Sequence, residues 1–259
     1  FEGRDVLALR GANLREYRND VAMIFQDPRA HVNPVRSIGD FITEVLRGTD
    51  GMKRSEADKL AIRMLGMVGI SQPEQRLRQY PHEMSGGMLQ RIMIASALLT
   101  KPKLLLADEP TTALDVTIQA DVVALLQEMR RELGVGIVFI THDLELAAAI
   151  CDRTAVMYAG RIVEVRDSHL LHDDPLHPYT NALARARPDI DSVQPRLHAI
   201  EGRPLSGFEA PVDACAFSDR CPHVADICLT AQPALLELDG GLTRCCRAIE
   251  LRGRMAHHG

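Results

Sequence analysis

Residues 104–109 read Leu-Leu-Leu-Ala-Asp-Glu, a continuous apolar run that ends in two adjacent carboxylates. A run this short and this apolar is expected to be a strand buried on both faces, as in a parallel sheet covered by helices. Two carboxylates at the end of such a strand are costly unless they bind a cation or polarise water. Asp108 is placed to hold Mg²⁺ through its hydration shell. Glu109 is placed as a general base on an attacking water, a role that needs a reach of about 3 Å. The competing reading of an isolated Asp-Glu pair is a helix N-cap or a loop salt bridge.

The flanking segments narrow the choice. Ser85 stands where an N-cap belongs, and Gly86-Gly87 let backbone amides approach an anion closely. The amphipathic helix expected from about residue 88 to 99 directs its positive dipole end at that point; a capped core helix is the plain alternative. After Pro110, Asp115 caps a long helix with the stripe Ile118, Val122, Leu125, Leu126, Met129 and Leu133, ended by Gly134. Residues 135–140 form a second buried strand, and His142 follows at its carboxyl end, where an imidazole can donate to a phosphate oxygen. Residues 21–25, Val-Ala-Met-Ile-Phe, form a further strand with Gln26 at its carboxyl end, the side on which open α/β sheets place ligands. Taken alone, Gln26 is a polar residue opening a turn, and His142 is a surface loop residue. A hairpin over 155–165 closes this part of the chain.

Between these strands, residues 37–100 are helical. Ile38, Phe41, Ile42 and Val45 form one stripe, and Ser55 with Asp58 forms a capping box for the next helix. Composition is that of a soluble globular protein, with 46% hydrophobic and 25% charged residues in 259. A net charge of −5 argues against a nucleic-acid partner. No apolar run approaches the roughly 20 residues of a membrane span, so contact with a membrane is expected to come through a partner.

Five signals in this order resemble the ATP-binding subunit of an ABC transporter. Gln26 resembles the Q-loop glutamine, Ser85-Gly86-Gly87 the signature, and residues 104–109 the Walker B strand with its catalytic glutamate. Ala113-Leu114-Asp115 resembles the D-loop and His142 the H-loop switch. The subfamily resembled is that of dipeptide, oligopeptide or nickel importers, through Ile24-Phe25-Gln26-Asp27-Pro28, Asn33-Pro34, the MSGGMLQR form and His177-Pro178-Tyr179-Thr180. The resemblance implies an α/β, P-loop NTPase-like cassette. Residues 1–36 and 101–166 make a RecA-like parallel-sheet core, 37–100 a helical signature subdomain, and 167–259 a small irregular C-terminal extension. It implies ATP and Mg²⁺ as cofactors, with Gln26 and Asp108 near the metal, Glu109, Gln26 and His142 catalytic, and Ser85, Gly86, Gly87 and Asp115 on nucleotide. The implied partners are a second ATPase subunit, two integral membrane permease subunits and, indirectly, an extracytoplasmic solute-binding protein. The implied location is peripheral, on the cytoplasmic face of the inner membrane.

The family's phosphate-cradling loop, G-x-x-x-x-G-K-[ST], occurs nowhere in the 259 residues. Two expectations follow: the 259 residues alone do not bind ATP tightly, and the sheet has unpaired backbone next to the Walker B strand. A half-site protein that only donates Ser85 and Asp115 to a partner is therefore the second reading. DNA-repair and chromosome ATPases share these motifs but insert a long coiled coil, whereas 58 residues separate Gln26 from Ser85 here.

Five of six cysteines (Cys215, Cys221, Cys228, Cys245 and Cys246) lie in the last 45 residues, which points to a local site. An iron–sulfur cluster, a structural zinc and packed free thiols compete. The absence of a C-x2-C pair weakens zinc. The spacing of Cys215, Cys221, Cys228 and Cys245 resembles a motif associated with a [4Fe–4S] cluster in some peptide-importer ATPases, with Cys246 a rival fourth ligand. Cys151 is read as core packing.

Overall fold

The computed structural model describes residues 1–49, 51–112, 114–186 and 199–255. It divides into two compact units, Phe1–His142 and Asp143–Gly259. Ala113, one of the three D-loop positions, lies outside the described residues.

In the first unit α1 (Gly11–Asp20) runs into β1 (Val21–Ile24), and the single-turn α2 (Pro28–His31) follows with Asp27 as its cap. Three longer helices, α3 (Ile38–Thr49), α4 (Arg54–Met67) and α6 (Gly86–Leu98), pack on one another, with the short α5 (Pro73–Arg76) between the last two. The Ser55–Asp58 capping box does not form. Helix α4 begins after Lys53 with no side-chain cap, and Asp58 is taken by Arg54 at 2.7 Å instead. Then come β2 (Leu104–Asp108), α7 (Val116–Leu133) and β3 (Gly136–Ile140). Helix α7 is capped at both ends as its sequence requires. Asp115 accepts from the Ile118 amide at 3.0 Å, and Gly134 takes the left-handed conformation at φ +67° that terminates it.

The three strands are parallel in the order β1-β2-β3, with Met23, Leu106 and Val138 in register. Two expectations are corrected here. The Walker B strand β2 has no unpaired edge, because β1 and β3 flank it directly. The free edges among the described residues are the outer ones of β1 and β3. The strands are also not buried on both faces. Because side chains alternate, Ile24, Leu105 and Ala107 lie fully buried on one face, while Met23, Val138 and Ile140 stay 39–47% exposed on the other. Apolar runs in β1 and β3 thus cover one core instead of separating two.

Helix α6 also departs from its reading. Instead of a stripe it buries residues nearly all round: Leu89, Ile92, Ile94, Ala95 and Leu98 at zero exposure, with Gln90 among them. Such a helix is a core element, and its apolar residues fill the space between α3, α4 and β1.

In the second unit α8 (Leu144–Ile150) precedes the hairpin β4 (Arg153–Tyr158) and β5 (Arg161–Asp167). Ala159 and Gly160, both at positive φ, make its two-residue turn. After α9 (Leu170–Asp173), α10 (Pro178–Arg185) and α11 (Asp226–Thr230) come β6 (Leu236–Leu238) and β7 (Gly241–Thr243), with α12 (Ala248–Leu251) last. The antiparallel sheet order is β4-β5-β7-β6, so the hairpin shares its sheet with strands from the cysteine-bearing region.

Candidate functional site

At the carboxyl end of β2 the chain turns sharply. Glu109 is held at φ +44°, a conformation that costs a non-glycine residue about 1–3 kcal/mol and is found where the surroundings enforce it. Its amide donates to the Ile140 carbonyl of the neighbouring strand end at 3.0 Å, which fixes where its side chain leaves the sheet. Three side chains converge on the carboxylate. Gln26 Nε2 donates to Oε2 at 2.9 Å, Thr112 Oγ1 to Oε2 at 2.8 Å, and His142 Nδ1 stands 3.2 Å from Oε1. An ionised carboxylate only accepts, so the facing His142 nitrogen is the one carrying the proton.

These groups come from the ends of all three parallel strands, which explains their convergence across 83 and 33 residues of sequence. The site is open to water: the His142 side chain is 72% exposed and that of Glu109 24%. The Thr112 hydroxyl, then the His142 ring, hold the Glu109 carboxyl below its ordinary range against a smaller opposing effect of burial. Glu109 is therefore ionised and fully engaged. To take a proton from water it must exchange at least one of these donors for the water. Asp108 lies half-buried beside it at the end of β2.

Thr112 was not among the residues read from sequence. Its signal was local: a hydroxyl three residues after the glutamate, in a turn that Thr112 N closes on the Glu109 carbonyl at 3.2 Å.

The signature residues sit apart from this cluster. Ser85 caps α6, its Oγ accepting from the Met88 amide at 3.3 Å, so the N-cap reading holds. The two glycines differ in why they are glycines. A Cβ on Gly87 would meet Ile118 Cγ2 at 3.0 Å, so its small size is demanded by the approach of α6 to α7. A Cβ on Gly86 would meet only Leu114, at 3.9 Å, an ordinary contact; packing does not explain this glycine. Asp115 is exposed and serves as the cap of α7.

In the second unit the HPYT segment is a structural joint. Buried Glu164 on β5 accepts from the amides of Leu176 (2.8 Å) and His177 (2.9 Å), and His177 Nδ1 caps α10 by accepting from Tyr179 at 3.0 Å. Burial pushes the Glu164 carboxyl up and the His177 ring down to about 4.

The five C-terminal cysteines do come together: Cys215, Cys221, Cys228, Cys245 and Cys246 line one pocket with His177, His223 and Arg247. Burial pushes Cys221 and Cys246 up to about 11 and Cys245 up to about 12, which keeps these thiols protonated. Among the described residues no three His, Cys, Asp or Glu side chains are placed to hold a metal ion.

A parallel sheet that gathers an acid pair, an amide and an imidazole at its carboxyl ends, in one unit with a capped Ser-Gly-Gly helix, is the arrangement of an ATP-binding cassette. Comparison with known proteins agrees. Residues 1–112 match the family model described as ABC transporter, and residues 163–228 that described as oligopeptide/dipeptide transporter, C-terminal region. The oligopeptide transport ATP-binding protein OppD of Salmonella typhimurium is 44% identical over 251 residues, covering 96% of this chain and 75% of that protein. The dipeptide transport ATP-binding protein DppD of Escherichia coli is 43% identical over 259 residues, covering 98% and 78%. Among solved structures, cbiO1 from Clostridium perfringens, part of the ABC transporter complex cbiONQ, aligns with a TM-score of 0.53 at 30% identity over 60% of each chain. The chain belongs to the ABC transporter ATP-binding family, in its oligopeptide/dipeptide transport branch. Among the described residues no helix is long and apolar enough to cross a membrane.

Proposed function

We propose that this chain is the energy-coupling ATPase subunit of a di- or oligopeptide importer, with MgATP as its substrate. The observation that carries the reading is the Glu109 carboxylate at the end of β2, gripped by Gln26, Thr112 and His142. The donor set suits the substrate. Asp108 and the Gln26 amide oxygen are hard oxygen ligands for Mg²⁺, and the exposed end of α6 with Gly86 offers amide N–H groups to phosphate.

Each residue then has a distinct part. Asp108 and Gln26 orient the metal-bound phosphates. Glu109, once one of its present donors gives way to water, takes the proton from the water that attacks the γ-phosphate in line. His142 donates to the phosphate oxygen and returns to Glu109 when that phosphate leaves, so one imidazole reports which state the site is in. Ser85, Gly86 and Asp115 serve the nucleotide of a second ATPase subunit. Permease subunits supply the membrane contact at the cytoplasmic face, and a solute-binding protein delivers the peptide. Residues 1–36 and 101–166 act as the core, 37–100 as the signature subdomain and 167–259 as the extension. No observation favours the half-site reading. As placed, no three of the thiols are set to hold a single metal ion, and no step is assigned to one.

The test is ATP turnover by the native protein with its partner subunits. Glu109→Gln is expected to lower kcat by about 10²–10⁴-fold while leaving nucleotide affinity within about threefold. Turnover that survives this exchange would remove Glu109 as the base.

A further inference from the structure

The turn that follows Glu109 is gripped from α7. Gln119, near the start of that helix, donates from Nε2 to the Thr111 carbonyl at 2.9 Å, eight residues back. The Leu114 amide reaches the same carbonyl at 3.1 Å, so both lone pairs of that oxygen are engaged. At the other end of the same peptide unit, the Thr112 amide donates to the Glu109 carbonyl at 3.2 Å. A planar unit held at both its oxygen and its nitrogen resists rotation. Its orientation decides where the Thr112 hydroxyl stands, and that hydroxyl donates to Glu109 Oε2 at 2.8 Å. Gln119 has a second hold through its main chain, its amide donating to the Asp115 carbonyl at 2.9 Å. Thr111 is 5% exposed and Gln119 half-buried, so water does not readily take over the side-chain bond.

We propose that Gln119 is a positioning residue: it sets the Thr111–Thr112 peptide so that Thr112 and Glu109 stand where the attacking water is met, and it ties that turn to Asp115. The inference rests on the reading of Glu109 as the base and of Asp115 as a group serving the partner subunit's nucleotide. Glu109 is held at φ +44°, a conformation that persists only while its surroundings enforce it. Without the grip at Thr111 the turn is free to relax, and the base drifts from the geometry that the reaction needs. The side chain required is a donor of this reach without charge. A carboxylate of the same shape only accepts, and would set an oxygen against the Thr111 oxygen. A thioether has the length and no donor.

ATP turnover by the native protein with its partner subunits separates a donor from a space-filler. Gln119→Glu is expected to lower kcat by about 10- to 100-fold, with KM for MgATP within about twofold. Gln119→Met is expected to lower it by about three- to tenfold, and Gln119→Lys, which restores a donor, to stay within about threefold of wild type. The rank order is the readout, because a residue that only fills space gives wild-type kcat with glutamate, its isostere. In a double-mutant cycle, Gln119→Met combined with Thr112→Val loses no more than the larger single loss, since both act at one turn. Should the glutamate variant fail to fold, the Met and Lys variants with the cycle decide. Wild-type kcat in the Glu and Met variants, a raised KM at unchanged kcat, or additive losses in the cycle would each overturn the proposal. Turnover that survives Glu109→Gln would overturn both the base and this inference. Wild-type turnover in Gln119→Glu beside an inactive Glu109→Gln would overturn the inference alone.

Discussion

Glu109 and Glu164 are both glutamates that accept short hydrogen bonds from fixed donors, yet their carboxyls move in opposite directions. Glu109 stands at an open strand end among side chains, and its donors hold the carboxyl low. Glu164 lies under β7 and the HPYT joint with zero exposure, and there burial outweighs two amide donors and pushes the carboxyl up. Hydrogen bonds alone do not set the sign; access to water does. The open carboxylate is available for chemistry, whereas the closed one is a fastener. The histidines divide the same way: His142 is 72% exposed and free to change partners, while His177 is 1% exposed and caps a helix.

The sharpest way to break this comparison is to exchange the two acids in turn. Glu109→Gln is expected to cost about 10²–10⁴-fold in ATP turnover with little change in melting temperature, because its donors are exposed and retain water. Glu164→Ala is expected to do the reverse. It strands the Leu176 and His177 amides, at about 1–3 kcal/mol for each buried donor left unpaired. Thermal unfolding and turnover measured side by side check both. If Glu164→Ala stops turnover in protein that melts normally, the division between working and fastening acids fails.

The working half was the more legible half. The acid pair, Gln26 and His142 each follow a short apolar run, and strand ends in a parallel sheet face one way, so their convergence follows from pattern. Helix α7 was legible because Asp115 and Gly134 are local signals. What escaped was set by tertiary packing. The apolar faces of Met23, Val138 and Ile140 carry no mark of which side is covered, so the strands read as buried twice. Gly87 read as an anion-binding glycine, because no local pattern announces the approach of Ile118. Glu164 gave no signal at all: a lone glutamate in an alternating strand looks solvated, and only the register with Thr243 and the joint at His177 puts it inside.

The fastening half makes a pH prediction. His177 titrates near 4 when folded, against 6.5 ordinarily, so the unfolded chain binds the proton first as pH falls. Stability from this group is complete above 6.5 and is lost as pH falls from 6.5 towards 4, by about 3 kcal/mol in all. Glu164 works against it. Its raised carboxyl favours the protonated folded form, so its contribution is present at low pH and is lost as pH rises from the ordinary carboxylate value through the raised one. His177→Asn keeps an N-cap acceptor and removes the titration. Unfolding free energy should then lose the fall between pH 6.5 and about 4 that His177 contributes, leaving the opposite slope of Glu164 exposed there. An unchanged acid-side fall would locate the sensitivity elsewhere.

The smallest effect tests the working half at its least obvious member. Thr112 is the main reason the Glu109 carboxyl is low, and it reaches that carboxylate at 2.8 Å. Thr112→Val removes the donor and keeps the shape. An exposed hydrogen bond contributes about 0.5–1.5 kcal/mol, so turnover near neutral pH should change by no more than about tenfold. The informative readout is the acid limb of kcat against pH. With its strongest donor gone the base binds protons more readily, so the limb moves to higher pH, while Thr112→Ser, which keeps the hydroxyl, leaves it in place. A merely structural role for Thr112 would lower kcat at every pH and leave the limb where it was. The shift, not the loss, separates a residue that tunes the base from one that only holds the turn.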